Sequence, residues 1–223
     1  MATLYIVATP IGNLEDITLR ALRILKEVDF ILCEDTRVTQ KLLARYNIST
    51  PTLSYHEHSK ITRVEQIIDF LNQGKNLAFV SDAGTPGISD PGGKLIAYVR
   101  DRIPDAPVVP VPGASAVTAA ASIAGFSMDK FVFMGFPPAK RKRKKFFEEV
   151  CTARYPVIFY ESPYRILKTL KELEVMARDL EVVVCREVTK KFETVYRGNV
   201  KDVLADISNH KPKGEFVVIT RMR

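Results

Sequence analysis

A glycine-rich segment between an apolar run and a helix-like pattern constrains the fold of this chain more than any other feature. Residues 81–93, SDAGTPGISDPGG, contain four glycines and two prolines. They follow residues 77–80, which predict a short buried strand, and precede residues 95–99, which are typical of a helix. Connections of this kind usually have about two to six residues, so the length favours a ligand-binding loop over an ordinary turn. In open α/β sheets, ligands bind at the edge where the strands end.

Strand-like and helix-like segments alternate around this loop. Strands are predicted at residues 4–8, 30–33 and 108–111, and the proline in the last of these indicates a sheet edge or a strand end. Helices are predicted after Asp16 as a cap, through residues 40–45, and around residues 64–71 with Gly74 ending the helix. Repeated alternation predicts a mainly parallel sheet covered by helices on both faces.

The second half of the chain predicts a different sheet. Its strand-like runs are residues 131–134, 157–160, 182–185, 194–196 and 216–219. The last three, with a hairpin-like sequence between them, indicate a mixed sheet. The fold class is therefore α/β with two domains, residues 1–113 with a mainly parallel sheet and residues 114–223 with a mixed sheet, joined near residues 112–128.

Composition and missing motifs exclude several classes of protein. Neither GxGxxG nor GxxxxGK[ST] occurs, which disfavours NAD enzymes and P-loop nucleotide hydrolases. The longest uncharged apolar run, residues 114–126, is too short to span a bilayer, and no targeting leader is visible. The three widely spaced cysteines fit reduced thiols in a cytoplasmic protein. A net charge of +7 permits a polyanionic partner without proving one.

Adjacent acids follow the second predicted strand, in the sequence Cys33-Glu34-Asp35-Thr36-Arg37. At a strand end, the two carboxylates and the arginine would face the same crevice as the first turn, residues 9–14. Acids at a helix N-terminus also complement the helix dipole. The residues alone favour neither interpretation. A third strand-end turn, residues 111–116, leads into a helix of small residues that allows close approach of a ligand or of another element.

Two further segments carry candidate partner contacts. Six consecutive basic residues, Lys140 to Lys145, follow Gly135-Phe136-Pro137-Pro138. Cations at a helix N-terminus oppose its dipole, which favours a flexible arm for a phosphate backbone over a solvated helix start. His56 and His58 would lie on one face of an extended segment. Two histidines without a third ligand are a weak metal signal, so we expect a polar, substrate-facing loop and no metal.

The turns together closely resemble one family. The matching segments are LYIVATPIGNLEDIT at 4–18, CEDTR at 33–37, HEH at 56–58, SDAGTPGISDPG at 81–92, VPGASA at 111–116, GFPPAK at 135–140, FYESPYR at 159–165, REVTKKFET at 186–194 and KGEFVVI at 213–219. They resemble the ribosomal RNA small subunit methyltransferase I group of the tetrapyrrole methylase superfamily. The resemblance implies transfer of a methyl group from S-adenosylmethionine to the 2′-hydroxyl of a cytidine in small-subunit ribosomal RNA. It also implies a two-domain homodimer with the cofactor in the cleft between domains.

Site residues follow from the resemblance by position. The implied cofactor contacts are Pro10, Asp82, Gly84, Thr85, Ile88, Ser115, Ala116, Tyr160, Gly214 and Glu215. The implied RNA contacts are His56, His58, Lys140, Arg141, Lys142, Arg143, Lys144 and Lys145. A ribose hydroxyl needs a base to become a good nucleophile. We assign that role to the crevice acids Glu34 and Asp35, with Arg37 orienting the substrate or one carboxylate; Glu161, Glu187 and Lys190 stay open as alternatives.

Many members of this group continue beyond the last strand with a helical extension, whereas this chain stops at Arg223. We therefore expect the basic run, Lys140 to Lys145, to make a larger share of the contacts with ribosomal RNA or the assembled small subunit. Two alternatives are a methyltransferase for a small tetrapyrrole and a non-catalytic RNA-binding module in ribosome assembly. The basic run and the HEH segment disfavour the first, and the cofactor turns and crevice acids disfavour the second.

Overall fold

In the N-terminal half, four of the short parallel strands are apolar along nearly their whole length, so each of these presents apolar side chains to both faces of one sheet. The computed structural model describes residues 2–56, 59, 61–209 and 211–222. It divides the chain into two compact units, Met1–Ser115 and Ala116–Arg223. The predicted fold class, two α/β units with a parallel first sheet and a mixed second sheet, is confirmed.

The described part of the first unit contains five parallel strands in the order β3-β2-β4-β1-β5. The strands are β1 (Leu4–Val7), β2 (Phe30–Cys33), β3 (Thr52–Ser54), β4 (Leu77–Val80) and β5 (Val108–Val111). The helices are α1 (Leu19–Glu27), α2 (Thr36–Arg45), α3 (Ile61–Asn72) and α4 (Gly92–Arg102), preceded by a short 3-10 turn at Leu14–Asp16. The predicted edge position of the proline-containing strand β5 is confirmed.

Both faces of the first sheet are buried, as a parallel sheet requires. Leu77 and Phe79 of β4 point to the face covered by α3 and α4, where they meet Ile67 and Leu95. Ala78 and Val80 point to the opposite face, covered by α1 and α2. The prediction that Asp16 caps α1 is wrong. Thr18 is the cap and accepts a hydrogen bond from the Ala21 amide, because the acid lies in the preceding 3-10 turn.

The second unit contains a mixed sheet in the order β6-β7-β10-β8-β9. The strands are β6 (Val132–Phe133), β7 (Val157–Glu161), β8 (Glu181–Arg186), β9 (Thr194–Asn199) and β10 (Phe216–Arg221). The helices are α5 (Ala116–Ser122), α6 (Arg143–Thr152), α7 (Ile166–Met176) and α8 (Val200–Ser208). Only the β6–β7 pair is parallel among the described strands of this sheet.

The second sheet also lies between two helical layers. Helices α6, α7 and α8 cover the face that includes Phe159 and Val184, and α5 covers the face that includes Ile158 and Cys185. All three cysteines fall within the described residues and are free thiols. Among the described helices, none is both long and apolar enough to cross a membrane.

Candidate active site

The loop after β4 is joined to the turn after β1 at the carboxyl edge of the first sheet. Thr9 and Gly84 exchange both backbone hydrogen bonds, at 2.9 and 3.1 Å. The Thr9 hydroxyl donates to the Ser81 carbonyl at 3.2 Å, and the Thr85 hydroxyl donates to the Ala114 carbonyl at 3.1 Å. Three turns from three neighbouring strands therefore form one connected surface. Glycine suits position 84, because its φ of +84° is a backbone conformation that other residues adopt only with strain.

Asp90 organises the rest of this loop. Its carboxylate accepts the Gly87 amide at 2.7 and 2.8 Å and the Gly92 amide at 2.8 Å. A Cβ atom added at Gly92 would lie 2.7 Å from Cε1 of Phe79 and 2.9 Å from the Gly87 nitrogen, so only glycine fits where α4 begins. The side chain of Ile88 is exposed at the tip of the loop. The loop is thus built by internal hydrogen bonds and close packing.

Acidic side chains gather beside this loop. Burial, together with the negative charges of Asp82 and Asp90, raises the pKa of Glu34 to about 7, although the Asp82 amide donates to it and partly opposes the rise. The Asp82 carboxylate in turn accepts the Asp35 amide at 3.1 Å. The structure thus brings together Glu34 and Asp82, which lie far apart in the sequence. A site with this excess of negative charge suits a cationic ligand, and Glu34 can exchange a proton near neutral pH.

Asp35 and Arg37 have a different environment from Glu34. Asp35 is the N-cap of α2 and accepts the Arg37 amide at 2.9 Å. The Arg37 guanidinium contacts both carboxylate oxygens, at 3.0 and 2.7 Å. These hydrogen bonds from Arg37 lower the pKa of Asp35 to about 2. Asp35 is therefore a poor proton acceptor at neutral pH, and the Asp35–Arg37 pair instead fixes the start of α2 next to Glu34.

A cavity of about 180 Å³ adjoins the loop, and several of the residues that line it are not predicted as site residues from the sequence. Its walls are formed by Thr9, Pro10, Leu14, Val38, Thr39, Lys41, Leu42, Ser81 and Asp82. The Tyr46 hydroxyl donates to the Leu14 carbonyl at 2.6 Å and holds one wall against α2. Val38 is 39% exposed, although apolar residues near a helix start are normally assigned to the core. The sequence gives no signal for such a position.

The turn after β5 passes close to the end of β1. A Cβ atom at Gly113 would lie 2.9 Å from the Cβ atom of Ala8, which explains the glycine. Ser115 and Ala116 are half-buried at the end of this turn. Pro10 is buried at the end of β1. Pro10 and Ser115, predicted as cofactor contacts, thus follow two strands that pair directly, β1 and β5.

The remaining predicted cofactor contacts belong to the second unit. Tyr160 lies on β7, where its ring packs against Phe133 at 5.0 Å between centroids and burial raises the pKa of its hydroxyl. Gly214 has a φ of +86°, and a Cβ atom there would overlap the Glu187 carboxylate. The Lys190 ammonium lies 3.1 Å from the Glu187 carboxylate and 2.8 Å from that of Glu215. These three charges form one cluster beside Gly214.

Glu187 is a weak candidate for a base. Burial raises its pKa, but hydrogen bonds from the Glu215 amide and from Lys190 outweigh that effect and leave the pKa below its ordinary value. Glu161 is buried and paired with Arg165 at 2.9 Å, and it accepts the Thr169 hydroxyl at 2.6 Å. Both carboxylates therefore already contact cations within their own unit.

The prediction that residues 140–145 form a flexible arm is wrong for Lys144 and Lys145, which lie in helix α6 (Arg143–Thr152), and for Arg143 itself. Helix α6 begins at this residue, and the spacing of Arg143, Phe146, Phe147 and Val150 places all four on its buried face. The Arg143 guanidinium donates to Glu172 at 2.8 Å, to the Thr169 hydroxyl at 2.7 Å and to the Pro138 carbonyl at 3.2 Å. The other five basic residues are exposed. Arg143 is thus a structural residue, and RNA contact by the other five stays a prediction.

The histidine segment is only partly described. His56 is exposed, and its amide donates to the Ser59 hydroxyl at 2.8 Å. His58, also predicted as an RNA contact, lies outside the described residues. Within the described ranges, no group of three histidine, cysteine or acidic residues is arranged to hold a metal ion.

Comparison with known proteins identifies the family. The sequence model of the Tetrapyrrole (Corrin/Porphyrin) Methylases matches residues 3–204. A protein of Thermotoga maritima named ribosomal RNA small subunit methyltransferase I is 44% identical over 220 residues, which cover 98% of each chain. A Synechocystis protein of the same name is 43% identical over 98% of this chain and 78% of its own length.

Solved structures share the fold at much lower identity. Diphthine synthase aligns with 99% of this chain and 90% of its own, at a TM-score of 0.76 and 13% identity. Uroporphyrin-III C-methyl transferase from Thermus thermophilus, complexed with S-adenyl homocysteine, aligns over 98% and 97% of the two chains, at a TM-score of 0.67 and 16% identity. Since the family model spans most of the chain and the relatives match nearly all of it, the chain belongs to the tetrapyrrole methylase family, in its group of ribosomal RNA small subunit methyltransferases I.

Proposed function

We propose that this protein transfers the methyl group of S-adenosylmethionine to the ribose 2′-hydroxyl of a cytidine in small-subunit ribosomal RNA. The observation that carries the proposal is the match, over 98% of the chain at 44% identity, to a relative named ribosomal RNA small subunit methyltransferase I. The acidic cluster at the carboxyl edge of the first sheet gives this activity a chemical basis. The same edge is where α/β sheets generally bind ligands.

The residues of the first unit fit this cofactor. S-adenosylmethionine, when bound, supplies an electrophilic methyl group on a positively charged sulfur. The carboxylates of Asp82 and Asp90 lie close enough to Glu34 to raise its pKa, so the site already carries the negative charge that a sulfonium requires. We propose cofactor contacts from Pro10, Asp82, Gly84, Thr85, Ile88 and Ser115 of the first unit, and further contacts from Ala116, Tyr160, Gly214 and Glu215 of the second unit.

Glu34 is our choice for the general base. A base works best when its pKa lies near the operating pH, because it is then both deprotonated and able to accept a proton. The pKa of Glu34, about 7, meets that condition, whereas that of Asp35, about 2, does not. Glu34 would take the proton from the 2′-hydroxyl. Asp35 and Arg37 would act as positioning residues, since their paired side chains fix the first turn of α2.

We also propose that the protein works in the cytoplasm as a homodimer on ribosomal RNA or the assembled small subunit. The exposed members of the basic run, Lys140, Arg141, Lys142, Lys144 and Lys145, would contact phosphates, and His56 and His58 would contact the same RNA. Lysine and arginine at phosphates position a nucleic acid without reading its sequence. Selection of the cytidine would then depend on the site in the first unit.

The decisive experiment is methyl transfer from labelled S-adenosylmethionine. The acceptors are small ribosomal subunits that lack native 2′-O-methylation, the free ribosomal RNA, and a tetrapyrrole precursor in parallel. We expect label in the RNA, at the ribose of a cytidine. Label only in the tetrapyrrole would overturn the assignment of the substrate, and cofactor binding without transfer to any acceptor would indicate a non-catalytic module.

A further inference from the structure

The solvent face of α7 and the turn before it carry exposed apolar side chains between lysines. Lys168, Lys171 and Val175 are spaced by three and four residues, which places them along one side of the helix, and Tyr164 lies four residues before Lys168 in the preceding turn. Tyr164 is 95% exposed and Val175 is 84% exposed. A single exposed apolar residue is common on soluble proteins. Here two of them, with Leu167 and Met176, line one groove of about 680 Å³.

The groove continues toward the basic run. A second depression, of about 340 Å³, is lined by Lys140 and Lys144 and shares Lys168, Glu172 and Met176 with the first. The buried Arg143 holds the two parts together, because its guanidinium links the start of α6 to Glu172 and Thr169 of α7. We call Lys140, Lys144, Tyr164, Lys168, Lys171 and Val175 the α7 surface.

Charge on this surface is predominantly positive. Two of its lysines have an acid nearby among the described residues: Glu148 lies 3.7 Å from the Lys144 ammonium, and Glu172 lies 3.8 Å from that of Lys168. Glu172 is also occupied by the buried Arg143. The remaining lysines leave an excess of cations around the apolar groove, so the charge complement of this surface is an anion.

The arrangement favours RNA over a second copy of the chain. In a two-fold symmetric dimer the same patch faces itself, which would bring these lysines against each other. Single-stranded nucleic acid combines phosphates for lysines with flat bases for aromatic rings, and stacking on such a ring does not depend on sequence. A nearly fully exposed tyrosine with Lys168 and Lys171 along the same groove meets both requirements.

We propose that the α7 surface is a docking site for a single-stranded segment of ribosomal RNA, with a base stacked on Tyr164 and phosphates at the lysines. This proposal rests on the proposed function, and it adds a contact area outside the site of methyl transfer. The RNA path would cover the exposed basic run and continue along α7.

The test compares Tyr164→Ala, Tyr164→Phe and the double variant Lys168→Ser/Lys171→Ser with the wild type. Lys201→Ser/Lys211→Ser is the matched control, since both lysines are exposed in the same unit and line neither depression. Binding of ribosomal RNA is measured over a range of salt concentrations, and cofactor affinity is measured by calorimetry. Methyl transfer to small subunits is followed in parallel.

We expect Tyr164→Ala to weaken RNA binding about tenfold, while Tyr164→Phe, which keeps the ring, binds as the wild type does. The double lysine variant should reduce the slope of log affinity against log salt by about 1.5, at roughly 0.7–0.9 per phosphate contact. Cofactor affinity should stay unchanged in all variants. The control double variant should retain both the RNA affinity and the salt slope of the wild type.

Unchanged RNA affinity and salt slope in the α7 variants, with an active wild type, would overturn the docking site and leave the proposed function intact. A change of oligomeric state in Tyr164→Ala, measured by sedimentation, would instead assign the surface to self-association and also overturn it. If the wild type transfers no methyl group to RNA, the failure lies in the proposed function, and RNA binding by the variants still decides the docking site.

Discussion

Glu34 is a half-buried carboxyl group whose surroundings, rather than its own chemistry, determine its protonation near neutral pH. Burial and the charges of Asp82 and Asp90 raise its pKa from 4.5 to about 7. Asp35, the next residue, has its pKa lowered by Arg37. Two adjacent carboxyl groups therefore differ in their ability to accept a proton, and this difference separates the candidate base from the helix cap.

The raised pKa of Glu34 makes the stability of the protein depend on pH. Between pH 4.5 and about 7 the unfolded chain has lost this proton while the folded protein keeps it, so the free energy of unfolding falls as pH rises through this window. We expect Glu34→Gln to be about 2 kcal/mol more stable than the wild type at pH 8, since one pKa unit corresponds to about 1.4 kcal/mol and the side chain is partly exposed. The difference in the free energy of unfolding between the variant and the wild type should shrink toward zero near pH 5. Urea unfolding at both pH values measures this difference.

The same variant should lose activity. We expect Glu34→Gln to lower kcat by a factor of about 10² to 10⁴, the usual contribution of a general base. Glu65→Gln, an exposed acid on α3, is the control and should match the wild type in both assays. A Glu34→Gln enzyme with full kcat and an unchanged pH–rate profile would place the base elsewhere.

At the scale of elements, the loop after β4 packs against the first turn of α4, which contains two adjacent glycines. The two glycines differ in how closely other atoms approach them. Gly92 faces Phe79 and the Gly87 nitrogen, whereas a Cβ atom at Gly93 would have no neighbour within 4 Å. Asp90 holds the loop against this helix start through the amides of Gly87 and Gly92. The two glycines therefore give a matched pair for testing whether the loop geometry matters.

We expect Gly92→Ala to lower the free energy of unfolding by about 1–3 kcal/mol, the typical cost of overpacking, and to weaken binding of S-adenosylmethionine. Gly93→Ala lies in the same helical turn without a clash. It should raise the free energy of unfolding by up to about 1 kcal/mol through the helix propensity of alanine. Thermal or urea unfolding and calorimetric titration give both quantities. Equal effects of the two variants would contradict the close packing at Gly92.

The start of helix α6 places one residue of the basic run in the core and leaves its neighbours exposed to solvent. Arg143 faces the core and pairs with Glu172, while its neighbours Lys142 and Lys144 face solvent. A buried, paired arginine stabilises only while its partners are present, because an unpaired buried charge is costly. The first turn of α6 thereby fixes the positions of the exposed cations around it.

At the scale of the whole molecule, the net charge of +7 is concentrated in part at the exposed basic run. We expect simultaneous replacement of Lys140, Arg141, Lys142, Lys144 and Lys145 by serine, with Arg143 retained, to weaken RNA binding. The salt slope should fall by up to about 4, since each phosphate contact contributes roughly 0.7–0.9. Filter binding at several salt concentrations measures this effect.

Cofactor affinity and the unfolding transition of this five-residue variant serve as controls and should match the wild type, because all five side chains are exposed. A variant that keeps the wild-type RNA affinity and salt slope would show that the run is only a solvated surface. Weakened cofactor binding would show instead that the substitutions disturb the fold.

Much of the fold could be predicted because the information is local. Apolar runs such as residues 77–80 identify strands, and Gly74, with a φ of +83°, ends α3 as expected. Strand β3 was missed, since its three residues, Thr52–Ser54, are too few to show a pattern. Thr18 rather than Asp16 caps α1 because the two candidates lie within one turn and sequence alone does not separate them.

The candidate site could be predicted only as a set of turns. The sequence places Glu34 and Asp35 side by side but cannot show that Asp82 raises the pKa of one while Arg37 lowers that of the other. Those effects depend on contacts between turns that are distant in the chain. Arg143 lies in a run of six basic residues, and the charge of this run predicts exposure. Its spacing with Phe146, Phe147 and Val150 instead indicates the buried position that the structure shows.

The order of strands in the first sheet also determines when that sheet can be completed during protein synthesis. Strand β1 is made first, but Leu4 pairs with Leu77 on one side and Val108 on the other. While the ribosome translates the residues between them, β1 has no partner, and its unpaired backbone N–H and C=O groups and its apolar side chains are exposed in the nascent chain. A nascent chain released before residue 77 therefore holds β1 without any neighbour, and one released before residue 108 lacks the strand that closes the edge of the sheet.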